Sequence, residues 1–485
     1  MGDDARSPPL AMSDGSHERS FSYEPERGVY DEALLPAGAP RPSYAELLRR
    51  LSEIDLTDLA ARLEREIEEQ GVVFGDEEGR QEAFRLDPVP RIVAADEWER
   101  LEPALVQRAR GLEAFVQDVY GERAIVRAGR VPARAIETCD HFEPRLAELP
   151  VPPVRIGVAG LDVVRDAGGG LHVLEDNVRT PSGLAYVVAA RELVCGLLPE
   201  ELAIAPRPLH GGFTLLAETL HSCAPEGHAS PVVVLLSDGP ANSAWYEHVR
   251  ISSELSIPLV TLGDLEPSHG RLQAVVDGRA VPVDVVYRRT DEDRLTDESG
   301  EFTEVGAALY EPLRAGTLVC VNGFGTGVAD DKLVHAYVEE MIRFYLDEEP
   351  LLPSVHTYDL ANDESRAAVL DRLDELVVKP RTGQGGQGVV VGPHARAEDV
   401  RRLADAIRAD PEDYVAQEMV MLSRHPTVVE GRLEPRHVDL RPFVFLTPDG
   451  GRVLPGGLTR VSLDPDALVV NSSQGGGGKD TWVLP

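Results

Sequence analysis

Lysine is almost missing from this chain. Of 48 basic residues in 485, only Lys332, Lys379 and Lys479 are lysine, and the rest are arginine. Arginine is the default cation, so a retained lysine marks a candidate position where a compact ammonium fits and a planar guanidinium does not. Chance survival is the alternative, and sequence context has to separate the two. Cysteine is scarce as well: Cys139, Cys195, Cys223 and Cys320 stand far apart, which excludes a paired zinc motif or a disulfide scaffold and reads as four reduced, structural thiols. Positive charge is short overall. A net charge of -35 disfavours nucleic acid or an anionic membrane as a bulk partner, so any phosphate site must be local. No run of eighteen apolar residues occurs, and the first twenty-eight residues have neither the basic start nor the apolar stretch of a signal peptide, so the expected location is the cytoplasm.

What is present is ample for a large globular protein. With 42% hydrophobic residues, a chain of this length is expected to divide into two or three substructures. Apolar residues at three- and four-residue spacing predict amphipathic helices over 43–71 and 96–121. Two β-type runs, 154–164 and 171–177, flank Asp166-Ala167-Gly168-Gly169-Gly170 and predict a hairpin, followed by a helix over 183–197. From 231 the pattern alternates strand and helix, with helices predicted over 242–255 and 303–314, and reads as a Rossmann-like α/β unit. A helix over 330–346 leads to strands at DELVVKP, GVVVG and YVAQEMV and a helix over 397–409. The last stretch is β-rich at RHVDLRPFVFL, GRVLPGGLTRVS and ALVVN, and closes on a glycine-rich tail.

The segment Lys379-Pro380-Arg381-Thr382-Gly383-Gln384-Gly385-Gly386-Gln387-Gly388 contains the spacing of a dinucleotide fingerprint, but that fingerprint needs a helix after the loop. Here Val389 to Val391 continue as a strand. A phosphate-binding Walker loop fails too, because Val389 stands where lysine should follow the last glycine. Protein kinases carry their lysine after such a flap, whereas Lys379 precedes this one, and no D-F-G or H-R-D-L run occurs. What remains is a glycine-rich β-hairpin whose unhindered amides can close over phosphates, weighed against a plain turn.

These residues resemble the ATP-grasp superfamily, and most closely its circularly permuted members related to the synthetase domain of glutathionylspermidine synthetase. The resemblance implies ATP and Mg²⁺ as cofactors. It gives Lys379 and Lys332 contacts with the nucleotide, the flap glycines Gly383, Gly385, Gly386 and Gly388 its phosphates, and the backbone of Gln417, Glu418, Met419 and Val420 the adenine edge. It makes Asp162, Glu175 and Asn177 the metal ligands; period-two geometry puts the latter two on one strand face, with Asp162 across the hairpin. The metal ligands precede the lysines here, the reverse of the unpermuted order. An arginine that the synthetase carries two residues before its metal Asp is Gly160 here, so Arg179, Arg441 and Arg460 are the candidates to meet the transferred phosphoryl group. Lys479, in a glycine-rich terminal segment, is either a catalytic residue of a second closing loop or part of a disordered tail.

The expected architecture is therefore α/β: a circularly permuted ATP-grasp fold with a Rossmann-like pre-ATP-grasp domain and an N-terminal helical region. The divisions expected are a disordered tail at 1–28, helices at 29–150, a permuted segment with the metal hairpin at 151–215, the Rossmann-like unit at 228–325, a small subdomain with the flap at 326–428, and the rest of the large subdomain at 429–485. The implied activity is ATP-dependent joining of a carboxylate to an amine through an acyl phosphate, on a small peptide-like or amino-acid substrate. A non-catalytic ATP-binding scaffold is the alternative. Because ligands gather at the carboxyl ends of parallel strands, Asn242, Ser243, Arg288, Arg289 and Asp291 are the candidate substrate residues. The expected partners are a small-molecule acid and amine, with neither nucleic acid nor membrane; self-association into a homo-oligomer is left open.

Overall fold

The computed structural model, which describes residues 23–75, 80–198, 204–228, 230–383, 387–464 and 476–485, folds the sequence Asp166 to Gly170 into the turn its glycines predict. Gly169 takes a left-handed φ of 89°, and Asp166 Oδ1 accepts the amides of Gly168 and Gly170, each at 2.8 Å. The turn joins Val158–Arg165 to Leu171–Asn177 as an antiparallel hairpin.

That hairpin is built into a nine-stranded sheet. Along the sheet run Gly450–Val453, Phe443–Thr447, Val158–Arg165, Arg432–Arg441, Leu458–Val461, Gly477–Val483 and Leu86–Val93, with Arg424–Val429 paired to Arg432–Arg441. Val158–Arg165 thus lies between two strands from the far end of the chain, the spatial counterpart of the permuted order. The long helix Ala95–Val119 packs across Phe443–Thr447 and Gly450–Val453, burying Trp98, Leu105 and Phe115 completely. Truncating either aromatic to alanine removes about 3–5 kcal/mol by the usual core cost.

A second sheet is wholly parallel in the order Val319–Val321, Val285–Arg289, Val233–Ser237, Leu259–Val260, with the helices Trp245–Leu255 and Glu304–Arg314 in its crossovers. An antiparallel meander, Leu265–Ser268, Arg271–Val276 and Arg279–Val283, interrupts it. A third sheet pairs Thr357–Asp359, Tyr414–Glu418, Leu376–Pro380 and Val390–Val391, backed by the helices Asp363–Leu370 and Ala397–Ala409. Leu376–Pro380 and Val390–Val391 are antiparallel, so the next element after the glycine-rich segment is a strand and not a helix. Among the described residues no helix is long and apolar enough to cross a membrane.

Several expectations need correction. The helix expected over 43–71 is two, Ala45–Leu51 and Leu56–Glu69, because Asp55 caps the second through the amides of Thr57 and Asp58. The helical region expected at 29–150 also contributes the strand Leu86–Val93 to the large sheet. Its two prolines suit the edge position it holds. The helix expected over 330–346 breaks into Lys332–His335, Val338–Met341 and a π-helical turn Ile342–Leu346. Residues 1–22 of the expected tail lie outside the described residues, but Tyr23 is buried and donates its hydroxyl to Asp31. The strand expected at ALVVN also lies outside them. The glycine-rich end is not a tail: Gly477–Val483 is an interior strand, buried throughout.

Candidate active site

Register decides the first part of the site. Asp162 pairs with Glu175 and Gly160 with Asn177, so the two carboxylates and the amide share one face of the hairpin. Asp176, between them, points the other way and anchors the hairpin from behind: Arg108 grips it with two bonds at 2.6 and 2.7 Å, and His335 Nδ1 sits 2.7 Å away. Burial would raise the Asp176 carboxyl, but Arg108 outweighs it and holds the group far below the usual range.

On the working face each carboxylate meets cations from distant segments. Lys379, at the end of the strand before the flap, places Nζ 2.8 Å from Glu175 Oε1. The Glu175 side chain keeps 38% of its surface, so this pair opens on space that a ligand can enter. Burial and the neighbouring Asp162 push the Glu175 carboxyl upward, yet the Lys379 and Lys332 ammoniums prevail and lower it. Lys332 donates to the carbonyl of Gly383 at 2.8 Å and so reaches the base of the flap. Burial, with Lys379 close by, lowers its ammonium despite the pull of Glu175.

Asp162 is gripped by two arginines. Arg441 binds both oxygens at 2.7 and 2.9 Å, and Arg460 stands 2.9 Å away while also pairing with Asp439. Arg441 reaches this place by lying across Gly160, where a Cβ would come within 3.3 Å of its Cδ and 2.9 Å of Pro181. A guanidinium from the neighbouring strand thus lies over the position where the sequence has Gly160 in place of arginine. Burial raises the Asp162 carboxyl, but the two guanidiniums bring it to about 2. A depressed folded pKa means stability that is complete above the unfolded value near 4 and lost as pH falls toward 2. Asp162→Asn is accordingly expected to lose about 2 kcal/mol less between pH 5 and pH 2 than the wild type, measured by urea unfolding across that range.

Arg179 follows the hairpin and binds Asp330 at 2.8 Å and Asp293 at 3.1 Å, while Asp330 also accepts the Val178 amide at 2.6 Å. These bonds tie the hairpin to the segment that carries Lys332. Asp331 caps Lys332–His335 and holds Arg381 at 2.9 Å, fixing the flap base against Ala135. Asp330, Asp331 and Arg381 were not singled out in the sequence, although the Asp-Asp-Lys run was the visible signal. The site brings Asp162, Glu175, Asn177, Lys332, Lys379, Arg179, Arg441 and Arg460 together, a cationic ensemble inside a strongly acidic chain.

Gln417 turns inward, donating to Thr357 at 2.9 Å and to the Leu174 carbonyl at 3.3 Å, whereas Glu418 turns outward to Arg372 and Tyr358. Met419 and Val420 are half-buried just beyond the strand. Gly383 and Gly388 have left-handed φ of 115° and 72°, and Gly388 leaves no room for a Cβ beside Pro380. Gly385 and Gly386 lie outside the described residues.

The donor set can be tested against a divalent cation. Among the described residues no three acidic, imidazole or thiol groups converge as a metal cluster. Two carboxylates and an amide suit a cation shared with ligand phosphates and water, the usual habit of Mg²⁺. The buried Asn177 Nδ2 and Gln417 Oε1 have no partner among the described residues, which leaves one donor for a ligand oxygen and one acceptor for a ligand N–H or O–H, with Asn177 Oδ1 the atom of that amide able to face a cation. The residues therefore fit a metal held jointly with a nucleotide.

The substrate candidates differ among themselves. Asn242 is fully engaged, donating to Asp238 at 2.9 Å and Asp291 at 3.0 Å and accepting from Ala244. The Ser243 carbonyl accepts the Gly75 amide. Arg289 donates to the Pro181 carbonyl, Ser182 and Glu247. Arg288 Nε and Nη1 have no hydrogen-bond partner among the described residues. The placement expected for Lys479 is corrected outright: it lies within a strand at 0% exposure, on Asp87 and the Pro426 carbonyl.

Residues 90–462 match the family described as circularly permuted ATP-grasp type 2. An uncharacterized protein of Synechocystis is 41% identical over 96% of this chain and 98% of its own length. One from Mycobacterium tuberculosis is 41% identical over 94% of this chain and 84% of its own. A Frankia alni protein, "Putative glutamate--cysteine ligase 2-3", is 43% identical over 95% of this chain, which spans only 54% of that protein. In three dimensions the chain is similar to a glutathione synthetase-like effector from Globodera pallida in its apo form, with a TM-score of 0.58 and 13% identity, covering 88% of this chain and 97% of that one.

Proposed function

The chain belongs to the circularly permuted ATP-grasp type 2 family, and from that premise we propose that it is an ATP-dependent ligase joining a carboxylate to an amine through an acyl phosphate. The observation that carries this reading is the convergence of Lys379, Lys332 and Asp162 on Glu175, with Lys332 bonded to the Gly383 carbonyl at the start of the glycine segment. In this reading Mg²⁺, when bound by Asp162, Glu175 and Asn177, neutralises phosphate charge. Lys332 and Lys379 hold the phosphates, and the flap excludes water, which is the positioning and charge compensation that phosphoryl transfer demands. Arg441 is the strongest candidate to face the transferred phosphoryl group, because it lies beside Gly160 and among the described residues its side chain is anchored through Asp162 alone. Arg460 is additionally committed to Asp439.

The substrate class proposed is a small amino acid or peptide-like acid with an amine. The Frankia name supports amino acids as a class, but that protein is nearly twice as long, and its name does not say which half acts. One observation favours the second reading, a scaffold without turnover: both carboxylates are already neutralised by the chain's own cations.

Two measurements test the proposal. MgATP at a hundredfold excess over its dissociation constant is expected to stabilise the protein by about 2.7 kcal/mol, seen as a higher Tm. ADP and phosphate release should appear against pooled amino acids, peptides and polyamines. No melting shift with millimolar ATP or ADP removes the nucleotide reading; a shift without turnover across the pools favours the scaffold.

A further inference from the structure

Two consecutive arginines end the central strand of the parallel sheet, and they are treated in opposite ways. Arg289 is 3% exposed and hydrogen-bonded on three sides. Arg288, 1% exposed, lies 4.9 Å over the Phe324 ring, and its buried Nε and Nη1 have no partner among the described residues. Other deeply buried arginines of the chain follow the first pattern: Arg108 holds Asp176 and Arg165 holds Glu32. Asp293, the acid whose charge acts on Arg288, is taken by Arg179 at 3.1 Å and faces His141 at 3.4 Å.

A buried guanidinium whose Nε and Nη1 have no partner among the described residues is costly to keep, because Phe324 and Asp293 offset its desolvation only in part. Burial lowers its pKa, but a guanidinium stays cationic at neutral pH. The strand end where it sits is the side of a parallel sheet at which ligands gather. Arg179 links it to the nucleotide lysines, standing within electrostatic reach of both Arg288 and Lys332.

We infer that Arg288 is a binding residue for a substrate carboxylate other than the one activated, so that the substrate is a dicarboxylate or an amino acid carrying a spare acid group. The inference rests on the ligase reading above. A carboxylate is favoured over a phosphate because one planar fork matches two carboxylate oxygens, while the acidic Asp293 nearby opposes a doubly charged group. The activated carboxylate belongs instead at the hairpin face, since it must surrender its charge to the phosphoryl group.

The test uses the full-length protein with MgATP, and glutarate, L-glutamate and uncharged glutaramide as probes in thermal melts. Wild type should gain ~2 °C or more from glutarate or L-glutamate and nothing from glutaramide. Arg288→Met should lose that gain yet melt higher than wild type without ligand, because it removes an unpaired buried charge and keeps a stem against Phe324. Arg288→Lys, which keeps charge without the fork, should recover only part of the gain. A ligand-free Arg288→Met that melts lower or fails to fold makes Arg288 structural and overturns the inference. So does a retained gain in that variant, an equal gain from glutaramide, or no gain from either acid in wild type. If MgATP alone shifts nothing while the acids do, it is the nucleotide reading that falls.

Discussion

Glu175→Gln and Asn177→Ala are each expected to lower ATP turnover about a hundredfold or more while leaving the protein folded, as when groups organising transition-state charge are removed. The two residues differ in what else they do. Glu175 pairs with Lys379, and of the two only the Glu175 side chain is substantially exposed, at 38% against 9%. Asn177 has a buried amide nitrogen with no partner among the described residues, so little native bonding there depends on it. Neither change should move the urea midpoint far, whereas ATP hydrolysis and ligation measured at saturating nucleotide should collapse. Nucleotide affinity should suffer less than turnover, because Lys332 and Lys379 remain. Turnover at the wild-type rate in either variant would show that the hairpin face is not where the phosphates are handled.

How much of this was legible in the sequence depended on whether the signal was local. The hairpin was readable because its turn is dictated by Asp166 and three glycines, and period-two alternation then fixes which side chains share a face. The strand after the glycine segment was readable because four glycines in six residues were followed by valines rather than a helical pattern. Long-range facts left no local trace. Nothing at Gly160 announces that Arg441, from a strand more than half the chain away, will lie across it. The prolines of Leu86–Val93 argue against a strand until its edge position is known.

The C-terminal glycines misled for a physical reason. Glycine is read as freedom, but here it is required by crowding: a Cβ on Gly477 would come within 3.0 Å of the Arg85 carbonyl, and one on Gly478 within 2.7 Å of Phe84. The same composition that predicts a loose tail serves a strand sealed between two neighbours. Among the substrate candidates, adjacency at strand ends does not separate Arg289, which the fold uses, from Arg288, whose Nε and Nη1 have no partner among the described residues. Only atomic partners make that distinction.

The three lysines offer the sharpest contrast, because composition singled them out together and the structure divides them. Lys479 is sealed in the large sheet, with Asp87 and the carbonyls of Pro426 and Val89 around its ammonium. Burial lowers its pKa while Asp87 opposes the shift. Asp87 is itself a structural acid, accepting the amides of Val89 at 3.0 Å and Val428 at 2.7 Å. Lys479→Met therefore leaves a buried carboxylate without its cation and is expected to cost about 3–5 kcal/mol of stability, with ATP affinity of the folded fraction unchanged. Lys479→Arg should also destabilise, by about 1–3 kcal/mol, since a larger planar head must enter a filled slot. Lys379→Arg is the reverse case. Its ammonium faces the open Glu175 side, so stability should hold while ATP binding weakens, and Lys332→Arg should behave alike but more mildly. Urea midpoints and ATP titrations on the four variants measure both quantities at once. Native stability with lost turnover in Lys479→Met would return that lysine to the catalytic site; wild-type ATP affinity in Lys379→Arg and Lys332→Arg would leave the nucleotide site resting on the flap and the metal hairpin alone.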